Sequence, residues 1–273
     1  MLNSKTMIAR RTRKKVSAFS LQPPAFARAG FTLVEIAICL AIIGIALVGI
    51  IGALPLGMRT QRDNREQTVI NQDATVFMEA IRNGSHGLDD LTNYVFAITN
   101  YWTKFNPNGA GVNGYTYTAS SATPSFPINS GARIIGLLST PEYTDINGTP
   151  LPNLFNGGYS NHIVAYVRSL SGPAVEKPPQ DNSLLRESSF SYRIVCANVP
   201  VQSSANVSSA YTTNLQVNLH ELRLMFEWPQ LPNGGLGLGR QAYRTMVAGQ
   251  IAYQVTNNTD LYFFQSQSFT NAP

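Results

Sequence analysis

The chain of 273 residues is poor in cysteine, histidine and charge. It holds two cysteines, Cys39 and Cys196, and three histidines, His86, His162 and His220. No HExxH, paired-cysteine or GxSxG spacing surrounds them, so no catalytic residues, resident metal or cofactor are expected from local pattern. Charged residues make up only 13% of the chain, and the first 30 positions contain no acid at all. Those positions hold Lys5, Arg10, Arg11, Arg13, Lys14, Lys15 and Arg28, seven of the 20 basic residues; the remainder sets 13 basic against 15 acidic. The positive net charge therefore describes the opening segment, and it argues against a nucleic-acid partner for the rest.

What is present is one long apolar run. From Phe31 to Met58 it counts 28 residues, and an α-helix needs about 20 to cross a bilayer core. The basic segment in front of it should stay cytoplasmic, placing the C-terminal part outside. An ordinary secretory signal has a shorter apolar core with a small-residue cleavage site behind it, and this run is too long for that. With Cys39 in the span and Cys196 in an outer domain, the two thiols cannot meet in a native disulfide. The outer domain must then be held by its core. Glu35 is the only charged side chain in the run. A carboxylate deep in a membrane helix costs roughly 2.5 to 3.5 kcal/mol, so this one needs a partner.

Gly30, Phe31, Thr32, Leu33, Val34 and Glu35 together resemble the processing and assembly motif of type IV prepilins and of the pseudopilins of type II secretion. The resemblance implies cleavage after Gly30 by a prepilin peptidase that is also the N-methyltransferase, and N-methylation of Phe31. It implies that Glu35 pairs with the free amine of a neighbouring subunit during assembly. The implied partners are that enzyme, other pilin or pseudopilin subunits and the bacterial inner membrane. The implied location is single-pass with the C-terminal domain in the periplasm, then in a pilus or pseudopilus.

Taken in order, residues 1–30 are a basic leader of the prepilin type, with Pro23 and Pro24 blocking regular structure. Residues 31–83 form a long helix, transmembrane over 31–58, in which Pro55 removes a backbone donor and acts as a hinge. Val69, Ile70, Val76, Phe77, Ala80 and Ile81 recur at helical spacing, and Asn83-Gly84 stops the helix. Residues 84–273 are an extracytoplasmic α+β domain. Leu91, Tyr94, Val95, Ile98, Tyr101 and Trp102 predict a second helix by the same spacing. Tyr115 and Tyr117 alternate in a short strand, and Gly131 to Ser139 reads as a short helix capped by Ser130 or a buried strand.

From Asn161 the period becomes two. Ile163, Ala165 and Val167 mark one strand, and Phe190 to Val199 a second. Leu215, Val217 and Leu219 predict a third that slips phase near His220 and Glu221 at a β-bulge, then continues through Leu222, Leu224, Phe226 and Trp228. Pro229 closes it, NGGLGLG makes a flexible turn, and Tyr243 to Val255 is the antiparallel partner. A long helix followed by a loop-rich region and an antiparallel sheet is α+β and pilin-like. Asp145 and Asn147 offer oxygen ligands for calcium without a full set.

The expected function is a pilin-like structural subunit and not an enzyme, a minor pseudopilin of a type II secretion system or a minor type IV pilin. The alternative is an uncleaved, single-pass, membrane-anchored surface protein that binds a ligand.

Overall fold

The computed structural model describes residues 30–84, 88–105, 111–118, 128–153, 157–171, 190–202, 209–231, 233–256 and 259–269. The chain divides into two units, residues 1–57 and 58–273. In the first, helix α1 begins at Leu33, and none of its described side chains is buried. This half of α1 is long and apolar enough to cross a membrane. Pro55 lies inside the helix, which runs to Arg82.

In the second unit the rest of α1 turns amphipathic. Val69, Ile70, Asp73, Ala74, Phe77, Ala80 and Ile81 are buried at i, i+3, i+4 and i+7 spacing. Val76, expected on this face, is exposed, and Asp73 and Ala74 take the buried positions instead. Gly84 ends the helix with φ +55°, the left-handed conformation that favours glycine.

A 3-10 turn, Asp89–Asn93, leads into strands β1 (Val95–Lys104) and β2 (Gly111–Thr118). The helix expected over Leu91 to Trp102 is therefore replaced by a turn and a strand. A bulge in the pairing of β1 lies between Val95 and Ala97, setting the buried Val95 and Ile98 three apart, a spacing that imitates a helix. Strand β2 includes Tyr115 and Tyr117, as expected. Helix α2 (Gly131–Leu138) follows, with Ser130 Oγ accepting from the Arg133 amide at 3.3 Å.

Strands β3 (Tyr143–Thr144), β4 (Tyr159–Arg168) and β5 (Ser191–Pro200) come next, and then helix α3 (Ser209–Asn218). Strands β6 (Leu219–Gln230) and β7 (Leu236–Ala248) complete a seven-stranded antiparallel sheet of order β2-β1-β4-β5-β6-β7, with β3 beside β4. Residues 215–218 belong to α3, and pairing of β6 with β7 is regular from Leu219 to Trp228. The slip expected near His220 and Glu221 is thus a change from helix to strand. The register shift lies between Trp228 and Gln230, around Pro229.

The expected partner over Tyr243 to Val255 divides at Gly249. Beyond it, β8 (Gln250–Thr256) pairs with β9 (Thr259–Gln265) in a separate two-stranded sheet. Ile163, Ala165 and Val167 of β4, Tyr192, Ile194 and Cys196 of β5, and Leu222, Leu224 and Phe226 of β6 join the buried face of α1 in one core. The layout is α+β, an antiparallel sheet against a helix.

Candidate assembly site

Residues 30–32 are exposed and precede the helix, so the Gly30–Phe31 bond lies in irregular backbone, where a peptidase can reach it. Phe31 is 80% exposed. Helix α1 opens on a reciprocal cap. The Glu35 amide donates to Thr32 Oγ1 at 3.3 Å, and the Thr32 amide donates to Glu35 Oε2 at 3.1 Å. The Thr32 hydroxyl lies 3.1 Å from the same carboxylate oxygen and donates to it.

This is a capping box, in which two otherwise unsatisfied amides of the first turn find acceptors. Sequence reasoning passed over it, although Thr-x-x-Glu ahead of an apolar run is its signature. Both bonds to the Glu35 carboxylate end on Oε2. Among the described residues no hydrogen bond ends on Oε1, so that oxygen is available to a donor from outside the subunit.

A buried structural carboxylate, Asp73, was also missed. Asp73 Oδ2 accepts from the Leu170 amide at 2.9 Å and from the Tyr192 hydroxyl at 2.8 Å, and Oδ1 accepts from Ser171 Oγ at 2.6 Å. These bonds tie α1 to the end of β4 and to β5. Burial raises the pKa of Asp73, and its three hydrogen-bond donors oppose that shift by favouring the charged form.

The remaining candidates stand apart from one another. Cys39 is exposed on α1, whereas Cys196 is buried in β5, where burial pushes its thiol pKa up and keeps it unreactive. Asp145 Oδ1 accepts from the amides of Asn147 and Thr149 at 2.8 and 2.7 Å, closing an Asx turn. Among the described residues no group of three or more His, Cys, Asp or Glu side chains converges. His86 lies outside the described residues, and His162 is exposed on β4.

His220 is buried at the start of β6. Its Nε2 lies 3.3 Å from the Val217 carbonyl, its ring meets Phe264 edge-on at 5.6 Å, and Nδ1 has no partner among the described residues. Burial lowers its pKa to about 4. The unfolded chain, with an ordinary histidine near 6.5, binds the proton first. The stability this histidine contributes is therefore complete above pH ~6.5 and lost as pH falls towards 4, amounting to about 3 kcal/mol. Unfolding free energies of the wild type and His220→Gln from urea titrations, compared between pH 7 and pH 4, should diverge by this amount; parallel pH dependence would refute it.

Residues 26–51 match the prokaryotic N-terminal methylation motif. No curated protein and no solved structure matches the chain. With an exposed Gly30–Phe31 bond ahead of the helix, a carboxylate in its first turn and an unburied apolar stretch behind it, the chain carries in residues 26–51 the signature of prepilin-type proteins, the pilins and pseudopilins.

Proposed function

We propose that this chain is a minor structural subunit of a type II secretion pseudopilus or a type IV pilus. It is made with a leader over residues 1–30, cleaved between Gly30 and Phe31 and methylated on the Phe31 amine. Residues 31–58 hold it in the inner membrane, and the domain from residue 84 onward faces the periplasm. Pro55 serves as a hinge near the outer membrane interface, where its missing donor softens the helix. The minor role follows from bulk: a domain built on a seven-stranded sheet and a second hairpin would crowd a filament made of this subunit alone. The observation that carries the reading is the capped Glu35 in the first turn of α1, whose stretch from Leu33 to Gly57 is otherwise uncharged and unburied.

In the assembled state Glu35 Oε1 accepts the amine of a neighbouring subunit, while Oε2 keeps the cap. Charge and cap can be separated experimentally. Glu35→Gln preserves the acceptor that closes the box but removes the negative charge, whereas Glu35→Ala removes both. Both variants should insert into the membrane and be cleaved. Both should enter filaments roughly tenfold less or worse, because leaving a buried amine without its counter-charge costs about 3–5 kcal/mol. Recovery of Glu35→Gln in sheared or crosslinked filaments at the wild-type level would remove the pairing role from the account.

A further inference from the structure

We propose that the free edge of β7 is a docking strand for another protein, which adds to it an extended segment with acidic side chains beside Arg240 and Arg244. The edge lies wholly within the second unit, and its role is independent of whether residues 31–58 cross a membrane.

Strand β7 is the last in the order β2-β1-β4-β5-β6-β7, and among the described residues β6 is its only partner. Two hydrogen bonds fix which of its groups face outward. The Gly249 amide donates to the Asn218 carbonyl at 2.8 Å, at the end of the β6–β7 pairing. In an antiparallel strand successive residues turn their N–H and C=O to opposite edges. Gln241, Tyr243, Thr245 and Val247 therefore bond to β6, and the residues between them face out. Strand β6 agrees: the Val201 amide donates to the Leu219 carbonyl at 3.0 Å, which gives the odd positions of β6 to β5 and leaves Leu222, Leu224 and Phe226 for Thr245, Tyr243 and Gln241.

Leu238, Arg240, Ala242, Arg244 and Met246 thus present their amides and carbonyls to the open edge. All five are exposed, on the face opposite the buried Val247. Even Ala242, with almost no side chain to project, is exposed, so nothing lies over the strand there. The strand has 13 residues, contains no proline and pairs with β6 without a bulge from Gly239 to Ala248. Proteins ordinarily blunt an exposed edge by shortening it, bulging it or placing proline in it, and a long regular edge is a template for another strand.

Charge selects the occupant. Glu227 serves Arg193 and also Arg240, the latter at 3.4 Å, and Glu221 serves Arg223 and also Arg244, the latter at 3.8 Å. Glu142 also bears on Arg223, from the β5 side. Arg240 and Arg244, with side chains 66% and 67% exposed, are left at the rim with one shared acid each. A second copy of β7 is a poor match, because outward-facing residues must meet outward-facing residues. Setting Ala242 against its copy puts each Arg240 opposite an Arg244, and adjacent registers leave the arginines diagonal, where like charges oppose pairing. An incoming strand with acids four residues apart on one face answers both arginines, and apolar residues outside them meet Leu238 and Met246.

The test uses the full chain in detergent and a fluorescently labelled peptide, Val-Thr-Glu-Thr-Val-Thr-Glu-Thr-Val, whose pattern reads the same in both directions. Its counterpart carries lysine in place of both glutamates. Fluorescence anisotropy should show the glutamate peptide binding about tenfold more tightly or better, since each cross-strand charge pair changes from favourable to unfavourable. Peptide N-methylated at alternate amides should lose binding. Ala242→Pro should lose it too, because proline there removes an outward amide and no bond to β6. That variant keeps every charge, including the basic first 30 residues, so its loss separates strand pairing from general attraction. Arg240→Glu with Arg244→Glu should invert the preference towards the lysine peptide. Absence of binding, equal affinity for the two peptides, or indifference to N-methylation would each overturn the proposal. Self-association of the full chain that Ala242→Pro abolishes would make a second copy the occupant, and would also overturn it.

Discussion

A bulky residue at Gly30 is expected to abolish processing and leave the fold intact. Gly30 is exposed, precedes the helix, and a side chain built there meets nothing within 4 Å. Gly30→Leu therefore carries no packing penalty in the subunit. Any loss of cleavage reports on the enzyme that must close around the backbone at that bond. Gly44 is the matched control, also a glycine with nothing within 4 Å but 14 positions beyond Gly30 and inside the helix. Gly44→Ala should be processed normally and should strengthen the helix slightly. On a gel of membranes containing the peptidase, Gly30→Leu should remain entirely in the slower, full-length band. Conversion of Gly30→Leu at the wild-type rate would contradict recognition at this bond.

Asp73→Ala is expected to have the opposite profile, a large loss of stability with cleavage unaffected. The carboxylate is fully buried and accepts from Leu170, Ser171 and Tyr192. Removing it strands three donors, two of them on the segment after β4 and one in the core of β5. An unsatisfied buried polar group costs about 1–3 kcal/mol, so the loss should reach about 3–5 kcal/mol, a large fraction of what a domain possesses. Asp73→Asn keeps one acceptor oxygen and should lose about half as much. Urea unfolding of the full chain in detergent, followed by tryptophan fluorescence, measures both. A loss below about 1 kcal/mol for Asp73→Ala would show that water replaces the carboxylate.

The two sites differ in how far the sequence discloses them. Gly30 to Glu35 forms a contiguous motif, and the apolar run behind it is legible because a membrane span needs only length and composition. The strands β4 and β5 were readable from Ile163, Ala165 and Val167 and from Tyr192, Ile194 and Cys196; β5 alternates strictly between buried and half-buried positions, and β4 keeps the pattern although Val164 is buried as well. β1 was not, because the bulge before Ala97 breaks the alternation and puts Val95 and Ile98 at a helical interval.

Leu215, Val217 and Leu219 misled in the other direction. They alternate like a strand, but residues 215–218 close α3, and only Leu219 begins β6. Asp73 was invisible for a different reason. An acid within an amphipathic helix ordinarily faces solvent, and the donors that bury this one come from residues nearly 100 positions or more away. The Thr32–Glu35 cap was legible as Thr-x-x-Glu ahead of the apolar run.

The central claim is that the leader is removed and the new amine is modified. Intact mass and N-terminal peptide mass spectrometry on protein recovered from its native membrane test it most directly. The account predicts a chain that begins at Phe31 with a methylated amine. A chain beginning at Met1, in cells with an active prepilin peptidase, would contradict it and leave an uncleaved, membrane-anchored binding protein in its place.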